Sequence, residues 1–154
     1  RRFELTPLAY RLLFCEALIL VIGAHYTHER VPLFDWLKPA FGWERNHYDR
    51  FAHFAVGALL VIPGREVLRR RTPLTGGWLN ALAAVSILAF AAFYEITELW
   101  IALGAAPEAA IAYLGSQGDP WDAQKDMLMD GLGALAGILL LSRPHDRALS
   151  HPSG

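Results

Sequence analysis

Four stretches of this 154-residue chain are each about 20 residues long and mostly apolar, the length an α-helix needs to cross the roughly 30 Å hydrocarbon layer of a bilayer. They run from about Pro7 to Tyr26, Tyr48 to Val67, Trp78 to Leu103 and Pro120 to Leu141. Few folds are open to such a chain, because a bilayer interior has no water to satisfy exposed backbone groups and each long span must bond internally as a helix. The expected fold is all-α: a polytopic transmembrane helical bundle of four spanning helices, with a short interfacial helix from Pro107 to Leu114. The third stretch is the clearest, with only Glu95 and Glu98 charged. The second is the weakest, since its uncharged part, Phe51 to Gly64, is short for a span and contains His53 and Pro63. A helix of that length also suits a soluble core.

Composition agrees with a membrane setting. Hydrophobic residues make up 54% of the chain and charged residues 19%, against about 25% charged in soluble domains. This excludes a disordered chain. A single cysteine, Cys15, excludes a disulfide scaffold, and a net charge of -1 argues against nucleic acid as a partner. Residues 1–147 are expected to form one transmembrane domain, with 148–154 as a flexible tail. The opening at Arg1 suggests a piece of a longer or processed polypeptide, and no secretory cleavage pattern is evident.

Helix punctuation sets the boundaries. Asp119-Pro120 reads as an N-cap and first-turn proline, Gly76-Gly77 opens the third span, and Ser142-Arg143-Pro144 closes the fourth. Gly115-Ser116-Gln117-Gly118 reads as a turn. Nine of the fourteen Lys and Arg residues fall on one side: Arg1, Arg2, Arg11, Arg65, Arg69 to Arg71, Arg143 and Arg147. The positive-inside rule then puts both ends and the Arg-rich turn on the cytoplasmic side, and the loops from Thr27 to Asn46 and Gly104 to Gln117 outside. Trp36, Trp43, Trp100 and Trp121 near the outer boundary, and Trp78 near the inner one, read as an aromatic belt contacting membrane lipids.

With that topology the ionisable residues gather at one depth. His25 and His28 end the first span; His47, Asp49 and His53 begin the second; Glu95 and Glu98 lie in the outer third of the third; Asp119, Asp122, Asp126 and Asp130 begin the fourth. The inner half holds almost none apart from Arg11 and Glu16, which are expected to pair with each other. Residues three or four apart share a helix face, which groups Asp49 with His53, Glu95 with Glu98, and Asp122 with Asp126 and Asp130. Gly57, Gly133 and Gly137 extend two of these faces and permit close helix approach. Acids in such a place line a cavity or pair with one another or with a cation.

Imidazole and carboxylate together suit a divalent Zn, Mn or Fe ion. The metal-ligand candidates are His25, His47, Asp49, His53, Glu95 and Asp122, with Glu98 and Asp126 as candidate catalytic acid or base. The plainer readings are that Asp49 and Asp119 serve helix N-termini and that the histidines bond locally. A metal-free reading pairs the acids with Arg45, Arg50 and Lys125 as a proton relay or substrate cradle.

The runs His25-Tyr26-Thr27 with Val31-Pro32, Arg45-Asn46-His47-Tyr48-Asp49-Arg50 with His53-Phe54, Tyr94-Glu95 with Glu98, and Gly115 through Gln124 with Asp126-Met127 resemble the YjdF-like family of bacterial inner-membrane proteins. The resemblance covers about Leu5 to Arg147 and extends more distantly to VanZ-like membrane proteins. Leu99 and Ser116 stand where the family tends to have tryptophan and threonine. The resemblance implies a membrane fold, a set of positions and about two further N-terminal helices, but no reaction. From the residues, the leading expectation is an outward-opening cavity whose ion activates water or polarises a lipid-headgroup or other amphiphilic substrate, a metal-dependent membrane hydrolase or transferase. The alternatives are a proton-coupled transporter, and an accessory subunit with partner subunits or a homo-oligomer.

Overall fold

The structure, a computed structural model, describes residues 4–114 and 116–150, and the side chains of all of these except 111–113. It is an all-α bundle: α1 (Pro7–His25), α2 (Pro32–Phe41), α3 (Tyr48–Arg71), α4 (Gly76–Leu103), α5 (Pro107–Leu114) and α6 (Asp122–Ser150). Four of these, α1, α3, α4 and α6, are long and apolar enough to cross a membrane. Bulky apolar side chains such as Phe14, Val21, Phe93 and Leu139 stand exposed on their outer faces, as a lipid-facing surface requires. Trp36, Trp78, Trp100 and Trp121 are also exposed.

The weakest span by composition proves to be the central helix. α1, α4 and α6 all pack on α3, and α6 does so most extensively. Because α3 is surrounded by helices rather than lipid, it needs less apolar surface, and Pro63 is carried inside it. Glycine makes the α3–α6 contact. A Cβ at Gly57 would fall on the carbonyl oxygen of Asp130, one at Gly133 on that of Phe54, and one at Gly137 on that of Ala58. The expected close approach is therefore backbone against backbone. Below it lies the main apolar core, built on Leu12, Val61, Ile62, Ala83, Ile87 and Ala134.

Four sequence expectations need correction. The loop from Thr27 to Asn46 contains a helix, α2, which starts at Pro32 and stops at Gly42 in the left-handed conformation (φ 66°). It docks through Phe34, whose ring meets Tyr48 edge-on at 5.4 Å, and Tyr48 in turn donates to the carbonyl of Ile19 at 2.7 Å. The fourth span begins at Asp122 rather than Pro120, with Asp119 accepting from the Trp121 amide at 3.0 Å. It also does not stop at Ser142-Arg143-Pro144 but continues to Ser150. Of the expected tail, residues 148–150 are helical, while 151–154 lie outside the described residues, as does Gly115 of the expected turn.

The extension of α6 explains the third correction. The half of the bundle that carries Arg65 is not free of buried ionisable groups: Glu66 and His145 are both fully buried there. Glu66 accepts from the Thr6 amide (2.9 Å) and hydroxyl (2.7 Å) and pairs with Arg70 (2.6 Å) and with His145 Nε2 (3.2 Å). Arg65 bonds His145 Nδ1, Asp146 and Asn80. This clamp ties the start of α1 to α3 and α6 and holds the helix together past Pro144. Fourth, Arg11 and Glu16 do not pair. Five residues at 3.6 per turn put them about 140° apart around α1, so Arg11 is exposed and Glu16 is buried.

Candidate functional site

The site lies at the end of the bundle that carries the 26–47 and 104–121 connections. Asn46, fully buried, fixes these two connections to each other. Its side chain donates to the Val31 carbonyl and to Asp35, its amide donates to Gln117 Oε1, and its carbonyl accepts from Gln117 Nε2. Gln117 takes a positive φ of 48° to reach this position.

The acids then divide into two groups. One group is bound by arginine. Arg50 pairs with Asp126, with Asp122 at 2.5 Å and with Asp119 at 3.2 Å; Arg45 reaches Asp122 at 2.9 Å, and Lys125 reaches Asp119 at 2.6 Å. The pairing with Arg45, Arg50 and Lys125 considered from the sequence is thus formed, but only for the three aspartates at the start of α6. Outside the spans, the Lys125 ammonium and the Trp121 amide hold the Asp119 carboxyl below the usual range. Burial, with Arg45 and Arg50 adding to it, lowers the pKa of His47.

Among the described residues, no Lys or Arg forms an ion pair with the second group. Asp49 and His53 on α3, Glu95 and Glu98 on α4 and Asp130 on α6 surround a cavity or its wall. His53 Nδ1 lies 2.9 Å from Asp130 Oδ2. Its other nitrogen, Nε2, stands 3.7 Å from Glu95 Oε1 and 3.9 Å from Asp49 Oδ1. Glu95 Oε1 and Asp130 Oδ1 are buried with no hydrogen-bond partner. Asp49, His53 and Asp126 each offer a ligand atom, all within 4.8 Å of one another. Beyond Asp130, Glu16 of α1 is 2% exposed and both of its carboxylate oxygens lack a hydrogen-bond partner. It lies near enough to Asp130 and His53 for their charges to act on it.

Of the residues singled out from sequence, the structure brings together Asp49, His53, Glu95, Glu98 and Asp126, while Asp122 is taken up by Arg45 and Arg50. His25 is the exposed last residue of α1, edge-on to Tyr26. His47 precedes α3 with its ring against Trp43, away from the cluster. His28 does line the cavity, beside Thr27, Asp49 and His53. Its ring packs against Gly23, where a side chain would displace it, and burial lowers its pKa. The cavity, about 120 Å³, is polar at its mouth and apolar deeper, where Leu20, Val56, Leu60 and Phe90 form the wall. Glu98 faces both this cavity and a second one, about 480 Å³, reaching toward Asp119 and Asp122. The role of Glu16 was not legible from sequence; a lone acid deep in an apolar helix is a signal, but not of which helix it faces.

The chain matches the family model described as "Predicted membrane protein (DUF2238)" over residues 1–147. The chain belongs to that family. Among curated proteins, the inner membrane protein YjdF of Escherichia coli (strain K12) is 41% identical to the chain over 150 residues, 97% of this chain and 71% of the relative's own length. No solved structure matches. This DUF2238 chain is an integral, multi-pass membrane protein, and its bundle places the acids of three different helices around one cavity.

Proposed function

We propose that this protein sits in the bacterial inner membrane with the cavity end facing the periplasm, and holds one divalent cation, Zn, Mn or Fe, at Asp49, His53, Glu95 and Asp126. The observation that carries the reading is the orientation of His53. Asp130 engages Nδ1, which fixes the ring and leaves Nε2 directed at two carboxylate oxygens too far away to bond. Two ligands each roughly 2.1 Å from an ion can be up to about 4.2 Å apart, and both gaps, 3.7 and 3.9 Å, fall inside that limit. A carboxylate behind a ligating histidine is the usual way a protein orients such a ligand. One of the two oxygens facing Nε2, Glu95 Oε1, is buried without a hydrogen-bond partner.

In this scheme the ion activates a water or polarises the headgroup of an amphiphilic substrate, and Glu98, on the cavity wall, takes or gives the proton. Arg50 keeps one oxygen of Asp126 and so limits how many ligands the protein itself provides. The clustering of Arg65 and Arg69–Arg71 at the opposite end favours that end as the cytoplasmic one.

Elemental analysis of detergent-purified protein tests the ion. The wild type is expected to carry about one equivalent, lost in His53→Ala and Glu95→Ala and kept in His25→Ala. Metal retained in His53→Ala would sink the assignment.

The buried, partnerless Glu16 favours a second reading, a proton relay running from His53 through Asp130 to Glu16. A wild type free of metal, together with proton uptake lost in Glu16→Gln, would select it over the first.

A further inference from the structure

The cavity is lined in part by two helices, α1 and α4, that each pack on α3 but make no substantial contact with one another. Leu20 on α1 and Phe90 on α4 line the cavity and are yet 43% and 51% exposed, so the wall they form is open to its surroundings. Along α3 the lining runs from Asp49 to Leu60, which at 1.5 Å per residue is about 16 Å of helix. One leaflet of the hydrocarbon layer is about 15 Å deep. With the acids at the outer edge of the hydrocarbon layer, a cleft of that length ends near the bilayer midplane.

We infer that this cleft takes one acyl chain of a phospholipid that enters sideways from the membrane, and that the lipid's headgroup carries both a phosphate and an amine. Val56, Leu60 and Phe90 give the chain an apolar wall, at the depth where acyl chains of that leaflet already lie. At the mouth the charges select the headgroup. Asp49, His53, Glu95 and Asp126 surround the ion, which meets the phosphate, while Glu98 stands apart on the wall and suits an ammonium. The phosphate's destination rests on the metal site proposed above; the chain's position does not.

Native mass spectrometry of the detergent-purified protein, with palmitoyl-oleoyl phosphatidylethanolamine or phosphatidylglycerol added at equal concentration, tests the assignment. One phosphatidylethanolamine per chain is expected, with phosphatidylglycerol retained at least fivefold less. Leu20→Trp, which fills the cleft, and Phe90→Ser, which makes its wall polar, should each lower the adduct at least tenfold while helicity and metal content stay unchanged. Both sites lie on the exposed rim. An adduct unchanged in both variants overturns the cleft, and equal retention of the two lipids overturns the headgroup assignment. A dimer that Leu20→Trp converts to monomer would put a second copy in the cleft and also overturn it. Lipid retained without metal in the wild type would remove the ion and leave the chain where it is assigned.

Discussion

Asp130 Oδ2 and His53 Nδ1 meet at 2.9 Å across the α3–α6 contact, one turn from where Gly57 rests on the Asp130 carbonyl. The same helix approach that leaves no room for a side chain at Gly57 thus sets the ring of the candidate ligand. A carboxylate in that position fixes the histidine tautomer and raises its basicity. Asp130→Asn keeps the shape but removes the charge, and should weaken divalent-ion binding by about 10- to 100-fold with the bundle intact. Calorimetric titration with Mn or Zn checks this; affinity within twofold of wild type would mean that Asp130 does not orient His53.

The glycine contact can be tested directly. A methyl group at Gly133 meets the Phe54 carbonyl, which is backbone and cannot rotate away. Gly133→Ala is expected to destabilise by about 1–3 kcal/mol or more, as overpacking does. Gly64, on α3 and with open space around its Cβ direction, is the control. There alanine should be neutral or slightly stabilising, since it gains helix propensity. Denaturant titration in detergent micelles reads both.

How far the sequence reaches is plain from these residues. Span length and apolar content identify α1, α3, α4 and α6 because the bilayer imposes a length that lipid-facing residues must meet. Helical spacing also puts Asp49 with His53, and the glycines with the polar face, because both are local properties of one helix. What spacing cannot supply is which helix a face meets. So spacing offers Arg50 to the acids as a group, and only the packing of α6 selects Asp119, Asp122 and Asp126 as its partners, while Glu16 seems to belong with Arg11 rather than with Asp130. α2 is missed because its ten residues contain Asp35, Lys38 and two prolines and fall below any span length. His145 is missed because Pro144 reads as a stop, whereas the bonds to Glu66 and Arg65 carry the helix through it.

Those bonds give a separate prediction at the far end of the molecule. Glu66 is fully buried and gathers Thr6, Arg70 and His145. Its removal leaves the buried Thr6 and His145 donors without their acceptor and takes an ion partner from Arg70, a loss of about 1–3 kcal/mol for each buried group left unsatisfied. Glu66→Ala should therefore lower stability by that order and loosen the start of α1, while the metal content at the opposite end is unchanged. Unfolding titrations with hydrogen exchange at residues 4–12 measure the first, and elemental analysis the second. Loss of metal in Glu66→Ala would show that the two ends are coupled.

The last prediction concerns acid. Burial lowers the pKa of His28 in the fold. The unfolded chain therefore takes up the proton first as pH falls through about 6.5. Above that pH the group contributes nothing. Between it and the lower folded value the unfolded state binds more protons, so stability declines with each step of acidification, and below the folded value the loss is complete and constant. His47, shifted the same way by burial and by Arg45 and Arg50, adds to the decline. His28→Asn removes the group and suits the left-handed backbone at that position (φ 55°), which asparagine tolerates. Compared between pH 7.5 and 5.0, unfolding free energy should drop less in this variant than in the wild type, and less again in the double variant with His47→Asn. Equal drops in all three would place the acid sensitivity elsewhere, among the carboxylates of the cavity.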